Sequence, residues 1–302
     1  MSKFHFIKNQ KVTLAIVAVI LLAGLISFFV RGFNIDIDFS GGTEIKLNVG
    51  TEVTKEVCDS INGIIRDHEL LGNDYVSSTT QSTSNSNMAI IRTGTAALSN
   101  EQIDALLDSL AEAYPAANLN DKEISMIAPT IGDSLTRTAI IAVAVAVVLM
   151  LIYIWIRFEL KSGIAAVLCL SHDLFVMFAV YSIFQIPVNA NIIAALLTIL
   201  GYSINATIVV FDRIRENKAK AEAGTPFSEI VNAGAHETLA RSVNTTLTTL
   251  FTIGMIYILG VDAIKNFALP LIIGIVAGLF SSIFMAGMIW TALEKLGKKK
   301  EQ

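Results

Sequence analysis

Val12-Thr-Leu-Ala-Ile-Val-Ala-Val-Ile-Leu-Leu-Ala-Gly-Leu-Ile-Ser-Phe-Phe-Val30 is a run of 19 residues without a charge. At 1.5 Å per residue a helix of that length covers about 28 Å, close to the roughly 30 Å hydrocarbon core of a bilayer. Lys3, Lys8 and Lys11 precede it, so a cleaved secretory signal is the competing reading. The run is too long for the apolar part of a signal, and its end lacks a small-x-small cleavage site. A membrane span over residues 12–30 is therefore expected, behind a short N-terminal segment, residues 1–11.

Five more blocks read the same way, at residues 138–156, 163–184, 191–211, 243–260 and 267–293. The chain is 53% hydrophobic and only 16% charged, against about a quarter charged in soluble domains. Basic residues crowd the loop Arg157-Phe-Glu-Leu-Lys161, the link 212–241 and the tail 294–302. Residues 185–190 carry none, and 261–266 only Lys265. Lys and Arg concentrate on the cytoplasmic side of membranes, so both termini and the link 212–241 are expected in the cytoplasm. The fold class that follows is a polytopic α-helical membrane protein with six transmembrane helices. A leading span (12–30) and a five-helix region (138–293) flank an extracytoplasmic domain (31–137).

That domain reads as α+β. Thr43-Glu-Ile-Lys-Leu-Asn-Val49 alternates polar and apolar residues, as a half-buried strand does. Residues 53–70 place Val53, Val57, Ile61, Ile64 and Ile65 on one helical face. Strands are expected at 75–80 and 88–92, joined by the polar run Gln81-Ser-Thr-Ser-Asn-Ser-Asn87 as a hairpin loop. Ser99 with Gln102 three residues on signals a helix start, and Ile103, Leu106, Leu107 and Leu110 form its apolar face. A last strand at 122–128 completes βαββαβ, the ferredoxin-like plan.

Ionisable and polar groups inside a span are costly, so they point to a cavity, a partner or function. His172 and Asp173 lie near the middle of the third span. In the fourth, Thr198, Tyr202 and Asn205 follow i, i+4, i+7 spacing, and Asp212 continues the stripe. In the fifth, Arg241, Thr245, Thr248 and Thr252 form one face. Two such stripes suggest a hydrated seam or an interhelical hydrogen-bond ladder, and equally simple helix glue at about 1 kcal/mol per bond. Asp212, Arg241, His172, Asp173 and Asn205 are the candidate ion-coupling residues. Arg213 and Arg215 have an equally plain reading, as anchors of the helix to lipid headgroups and no more. In the sixth span Gly274 and Gly278, continued by Ser282 and Ala286, make a small-residue ribbon for close helix packing.

Soluble enzyme motifs are missing: there is no phosphate-binding Gly-x4-Gly-Lys-Ser/Thr loop and no Gly-x-Ser-x-Gly elbow. Cys58 and Cys169 fall in different settings, so neither a disulfide nor a metal site is expected. The expectation is a non-enzyme with no cofactor and no metal, drawing any work from a partner or an ion gradient.

Several stretches resemble the SecD/SecF protein-export family. Asp38-Phe-Ser-Gly-Gly42 (Asp38, Phe39, Ser40, Gly41, Gly42) follows the first span. Arg157-Phe-Glu159 and Ser171-His-Asp173 match at the end of the second span and within the third. Ala194-Ala-Leu-Leu-Thr-Ile-Leu-Gly-Tyr-Ser-Ile-Asn205 runs through Val209-Val-Phe-Asp-Arg-Ile-Arg-Glu-Asn217, and includes Gly201, Arg213 and Arg215. Arg241-Ser-Val-Asn-Thr-Thr-Leu-Thr-Thr249 resembles the opening of the fifth span. The likeness covers nearly the whole chain, and the six-span layout is similar to the separate SecF subunit rather than the fused SecDF form. It implies a subunit of the bacterial Sec translocase in the inner (cytoplasmic) membrane. It further implies SecD, the SecYEG channel, the translocating preprotein and membrane lipid as partners. Such a subunit promotes late preprotein export on the proton-motive or sodium force, and its membrane part is similar to resistance-nodulation-division transporters. Two other readings stay open: half of such an exporter, and a structural subunit that stabilises SecD and the channel without ion coupling. One departure matters. The family commonly places an aspartate after the fourth-span asparagine, and here that position is Ala206. The resemblance then leaves ion coupling to Asp212, His172 or Asp173, or to an acid of SecD.

Overall fold

The computed structural model describes residues 5–7, 10–67, 79–82, 87–93 and 98–300. The chain divides into two compact units: Ile35–Ile140, and Met1–Asn34 with Ile141–Gln302.

The first unit contains α2 (Ile37–Ser40), β1 (Gly42–Asn48), α3 (Lys55–Asp67), β2 (Thr79–Ser82), β3 (Met88–Thr93), α4 (Asn100–Ala113) and β4 (Asn118–Ile127). Its sheet runs β2-β3-β1-β4 with every pair antiparallel. This is the split βαβ arrangement, in which each helix crosses over a strand. Alternation in β1 puts Ile45, Leu47 and Val49 into a core shared with Ile61, Ile65, Ile91, Leu106 and Leu110. The capping box that begins α4 forms as its sequence implies. Ser99 N–H donates to Gln102 Oε1 at 2.9 Å, and Gln102 N–H to Ser99 Oγ at 3.3 Å.

Three local features differ from the sequence pattern. β2 takes in Gln81 and Ser82, which looked like loop, because an edge strand is held by backbone bonds to β3 (Gln81 opposite Ile90, Ser82 opposite Ala89) and needs no apolar signal. Residues 75–78 and 83–86 lie outside the described residues. β4 begins at Asn118, four residues before the expected 122, because the ladder resumes at Asn48–Asn118 beyond an irregularity at Leu47/Asn48. The helix Ile37–Ser40 was not expected. Asp36 caps it by accepting the Ile37 N–H at 2.7 Å, and Gly41 closes it with φ +71. Gly42 follows with φ +116, so both glycines of the Asp-Phe-Ser-Gly-Gly motif hold conformations that L-residues avoid.

Asp36 is also part of a buried charge group. Arg92 Nε lies 2.8 Å from Glu44 Oε2 and 3.5 Å from Asp36 Oδ1, with all three side chains no more than 12% exposed. Burial pushes the Asp36 carboxyl above its usual range, and the Arg92 guanidinium pulls it part of the way back.

Gly50 has φ +74, and a methyl group there would overlap the Ala116 carbonyl, which is backbone and cannot yield. Gly50→Ala is therefore expected to destabilise this unit by at least about 2 kcal/mol, since a left-handed L-residue alone costs roughly 1–2. Proteolysis of the full-length variant checks this: unchanged resistance of the 35–140 unit would contradict it.

The second unit is helical: α1 (Gln10–Arg31), α5 (Pro129–Arg157) from Ile141 on, α6 (Leu160–Phe184), α7 (Asn191–Lys220), α8 (Phe227–Leu259), α9 (Asp262–Phe280), a π-turn (Ser281–Met285) and α10 (Ala286–Lys300). Among the described residues, six helices are long and apolar enough to cross a membrane, α9 through α10 counting as one. Their outer surfaces carry Val145, Leu149, Trp155, Phe251, Ile258 and Leu259, all exposed, which lipid solvates and water does not. Residues 212–241 are mostly not a loop. α7 continues to Lys220 and α8 starts at Phe227. Pairs such as Lys220–Glu216 at 2.7 Å, one turn apart, sustain the helix once it leaves the apolar segment.

α6, α7 and the sixth span form the centre. The small-residue ribbon finds its partner in this chain: a methyl on Gly274 would overlap Ile199 of α7, and one on Gly278 would stand 3.3 Å from Ser203 Cβ. Gly24 of α1 makes a similar close crossing at Ala179 of α6. At the N-terminus, Phe6 N–H donates to Asn232 Oδ1 at 2.9 Å and its ring meets Phe284 edge-on.

Candidate functional site

The close approach of the sixth span to α7 brings polar side chains from three helices onto one carboxylate. Asp173 is fully buried at mid-length in α6. Its Oδ2 accepts from Ser203 Oγ of α7 in a short hydrogen bond and from Ser281 Oγ, at the start of the π-turn, at 2.9 Å. Its Oδ1 lies 2.9 Å from Nδ1 of His172, itself 5% exposed. Below this carboxylate Cys169 Sγ lies 3.8 Å from the Ser281 carbonyl oxygen. The His172 ring sits beside Phe280, centroids 6.0 Å apart. Two atoms near this level have no hydrogen-bond partner among the described residues: His172 Nε2, and Thr207 Oγ1 one turn beyond Ser203.

Chemically this is a charge-holding joint. A carboxylate in a dry interior is tolerated only when donors surround it, and here the donors come from α6, α7 and the sixth span. A change of its charge is felt by all three.

The other candidates lie elsewhere. Asp212 is nine residues beyond Ser203, about 14 Å along the helix, and pairs with Arg157 at 3.2 Å. Arg213 joins Glu237 of α8 and Glu216, while Arg215 lies over the Phe158 ring at 5.3 Å. These arginines tie helix ends together rather than only anchoring to headgroups, although exposed pairs of this kind contribute little. Nor do the two polar stripes make a hydrogen-bond ladder. Tyr202 Oη to Thr249 Oγ1, at 3.4 Å, bridges α7 and α8. Thr198, Thr248 and Thr252 donate to carbonyls of their own helices, at Ala194, Thr245 and Thr248. These three threonines are satisfied by their own backbone, so they carry no obligation to pair across the helices.

The stripes instead form an open face. Thr198, Gly201, Asn205, Arg241, Thr245, Thr248 and Thr252 are all exposed, and nothing approaches within 4 Å of the place a Gly201 methyl would take. The Tyr202–Thr249 bond and the Gly234–Ile214 contact set the antiparallel register of α7 and α8. That register puts Thr245 level with Asn205, and Arg241 about one turn further along. Arg241 makes no hydrogen bond or ion pair with any described residue.

Sequence reasoning found His172 and Asp173 but missed Ser203 and Ser281. Ser203 lies one residue off the stripe, on the opposite face of α7, and Ser281 follows a ribbon whose pattern spoke only of packing. Their spacing held no signal, because the cluster exists only once the sixth span is seated on α7.

The family model described as "Protein export membrane protein SecD/SecF, C-terminal" matches residues 107–296. The chain is 35% identical over 301 residues to the protein translocase subunit SecF of Acidaminococcus fermentans, covering 99% of this chain and 100% of that protein. It is 34% identical to the subunit SecDF of Bacillus subtilis, of which it covers 39%. A crystal structure of SecDF from Thermus thermophilus, a translocon-associated membrane protein, superposes with a TM-score of 0.81 at 31% identity, covering 98% of this chain and 39% of that one. SecDF in its super-membrane-facing form gives 0.69 at 32% identity. The chain thus spans the length of separate SecF subunits and about two fifths of the fused SecDF chains. Its six apolar helices, its open polar face and these likenesses agree: the chain belongs to the SecF family of multi-pass protein translocase subunits.

Proposed function

We propose that this chain works with SecD as the ion-coupled membrane subunit that promotes the late stage of preprotein export through the SecYEG channel. The observation that carries this reading is the open polar face of α7 and α8, where Asn205, Arg241 and Thr245 lie exposed on membrane helices. Groups of this kind do not face hydrocarbon unaccompanied, so a second membrane subunit covers them and supplies a carboxylate for Arg241. Gly201, open to close approach, suits a helix crossing there. The fused SecDF relatives join such a partner to the equivalent of this chain.

In this reading the protein lies in the bacterial inner membrane with both termini in the cytoplasm, as the placement of its lysines and arginines favours. The ferredoxin-like unit then lies outside, where the preprotein emerges. The chain catalyses no bond chemistry, and the gradient supplies the work. A scaffold without ion coupling is the second reading. It is favoured by Ala206, a side chain that cannot titrate.

The test is translocation into inverted vesicles that lack native SecF, with this chain and SecD restored. ATP starts transport and is then removed, and the gradient is held or collapsed. Arg241→Ala is expected to slow gradient-driven completion at least tenfold and to weaken recovery of SecD with the chain. Completion that needs this chain but ignores the gradient supports the scaffold instead.

A further inference from the structure

We infer that the groove between α1 and α6 is a phospholipid site, in which one acyl chain lies along the groove and the phosphate of an anionic headgroup meets Arg31. The groove arises at the crossing of Gly24 and Ala179. Both are small, whereas Leu21, Leu25 and Phe28 of α1 and Phe175 and Phe178 of α6 stand large around them. That step in side-chain size leaves a trough of about 470 Å³ lined by apolar side chains, within the range of ligand pockets, about 300–1,000 Å³. Its walls are fixed. Ser27 Oγ donates to the Ser182 carbonyl at 2.9 Å and Asn34 Nδ2 to the Gln185 carbonyl at 2.8 Å, which pins the two helices together beyond the crossing. Phe33 reaches from Phe28 to Phe178, ring centroids 4.9 and 5.7 Å away, so aromatic rings from both helices wall the end nearest Arg31.

Shape and charge decide the occupant. Leu21, Gly24 with Leu25, Phe28 and Arg31 follow one stripe of α1 at steps of three and four residues. From Leu21 to Arg31 is about 15 Å along the axis, half of the roughly 30 Å hydrocarbon core. The groove therefore has the length of one leaflet, from the middle of the bilayer to the headgroup level at the C-terminal end of α1. Spread over that length, about 470 Å³ gives a cross-section of roughly 30 Å², about 6 Å across. A hydrocarbon chain enters such a slot, and a helix, about 10–12 Å wide with its side chains, does not. At the headgroup end Arg31 is exposed and makes no hydrogen bond or ion pair with any described residue. Neither residues 32–35 nor the connection 185–190, whose Gln185 Nε2 donates to the Gly32 carbonyl at 3.3 Å, carries an acid. The first acid beyond, Asp36, is held by Arg92. A phosphate at that level satisfies the guanidinium, and a headgroup with net negative charge does so without a competing amine. The site is separate from the buried Asp173 cluster and from the open face of α7 and α8, and it does not depend on the gradient-coupled reading.

The test uses the full chain with SecD in nanodiscs that contain a trace of phosphatidylglycerol bearing a photoreactive diazirine on its acyl chain. After irradiation, peptide mass spectrometry locates the labelled residues. Labelling is expected to concentrate on Phe28, Phe175 and Phe178, at several times the level on Leu149, an exposed residue of α5 outside the groove. Unlabelled phosphatidylglycerol is expected to displace it. Leu25→Trp, at an exposed position, fills the slot and is expected to remove the excess, whereas Leu149→Trp leaves it. Arg31→Gln is expected to lower the preference for phosphatidylglycerol over phosphatidylethanolamine about fivefold, the factor that one cation near an anionic surface supplies. Wild-type labelling of the groove equal to that of Leu149 overturns the inference whatever the variants do. So does labelling that is the same with either headgroup. A groove that lipid reaches only when SecD is left out also overturns it, because the partner subunit is then the occupant. The readout is lipid contact rather than export, so failure of the gradient-coupled reading leaves this result unmoved.

Discussion

Replacing Asp173 by alanine is expected to abolish gradient-driven export and to lower the stability of the helical unit by about 3 kcal/mol. The loss arises because Ser203 and His172 forfeit their acceptor while Ser281 keeps only the Gly278 carbonyl at 3.3 Å; the two bonds that join helices contribute about 1 kcal/mol each, and a buried polar group left without a partner costs about 1–3 kcal/mol. Asp173→Asn keeps one carbonyl oxygen and should recover most of the stability but none of the coupling. Thermal unfolding in nanodiscs separates the two effects. If the alanine variant unfolds at the wild-type temperature, the carboxylate is not the joint of the bundle.

The second large effect belongs to the α/β unit. Arg92→Met removes the cation held between Glu44 and Asp36, and breaking a buried pair in this way costs about 3–5 kcal/mol. The sign of its pH dependence follows from Asp36. Its carboxyl already sits above the ordinary range because it is buried. A group raised in the folded state adds stability below its unfolded value and loses that contribution as pH rises through the folded value. Without Arg92 the counteracting pull disappears and the rise grows. The variant should therefore be weakest at neutral pH and recover partly in mild acid, as Asp36 takes up its proton. Hydrogen exchange of β1 and β3 in the full-length protein, followed over that range, provides the measurement. A variant that weakens further in mild acid would falsify the role given to Asp36.

Both sites show where sequence reading stops. Residues 12–30 and five similar runs determined that this chain spans a membrane, because length and freedom from charge are local properties that lipid tests directly. The alternation in β1, the face of α3 and the Ser99–Gln102 cap were legible for a related reason: each is a pattern within one element. The extension of α7 and α8 through residues 212–241 was less legible, since a polar surface helix and a polar loop have similar composition.

What only the tertiary structure decided is which polar groups meet. His172, Asp173, Asn205 and Arg241 stood out alike as costly residues in apolar runs, yet the first two are buried and the last two open. The difference is set by which face of α7 the glycines of the sixth span press against. Seating Gly274 and Gly278 on Ile199 and Ser203 encloses Ser203 with Asp173 and turns Asn205 outward. A helix repeats every 3.6 residues whichever way it is rotated, so periodicity can group side chains into faces. Only packing against neighbours decides which of those faces is inside.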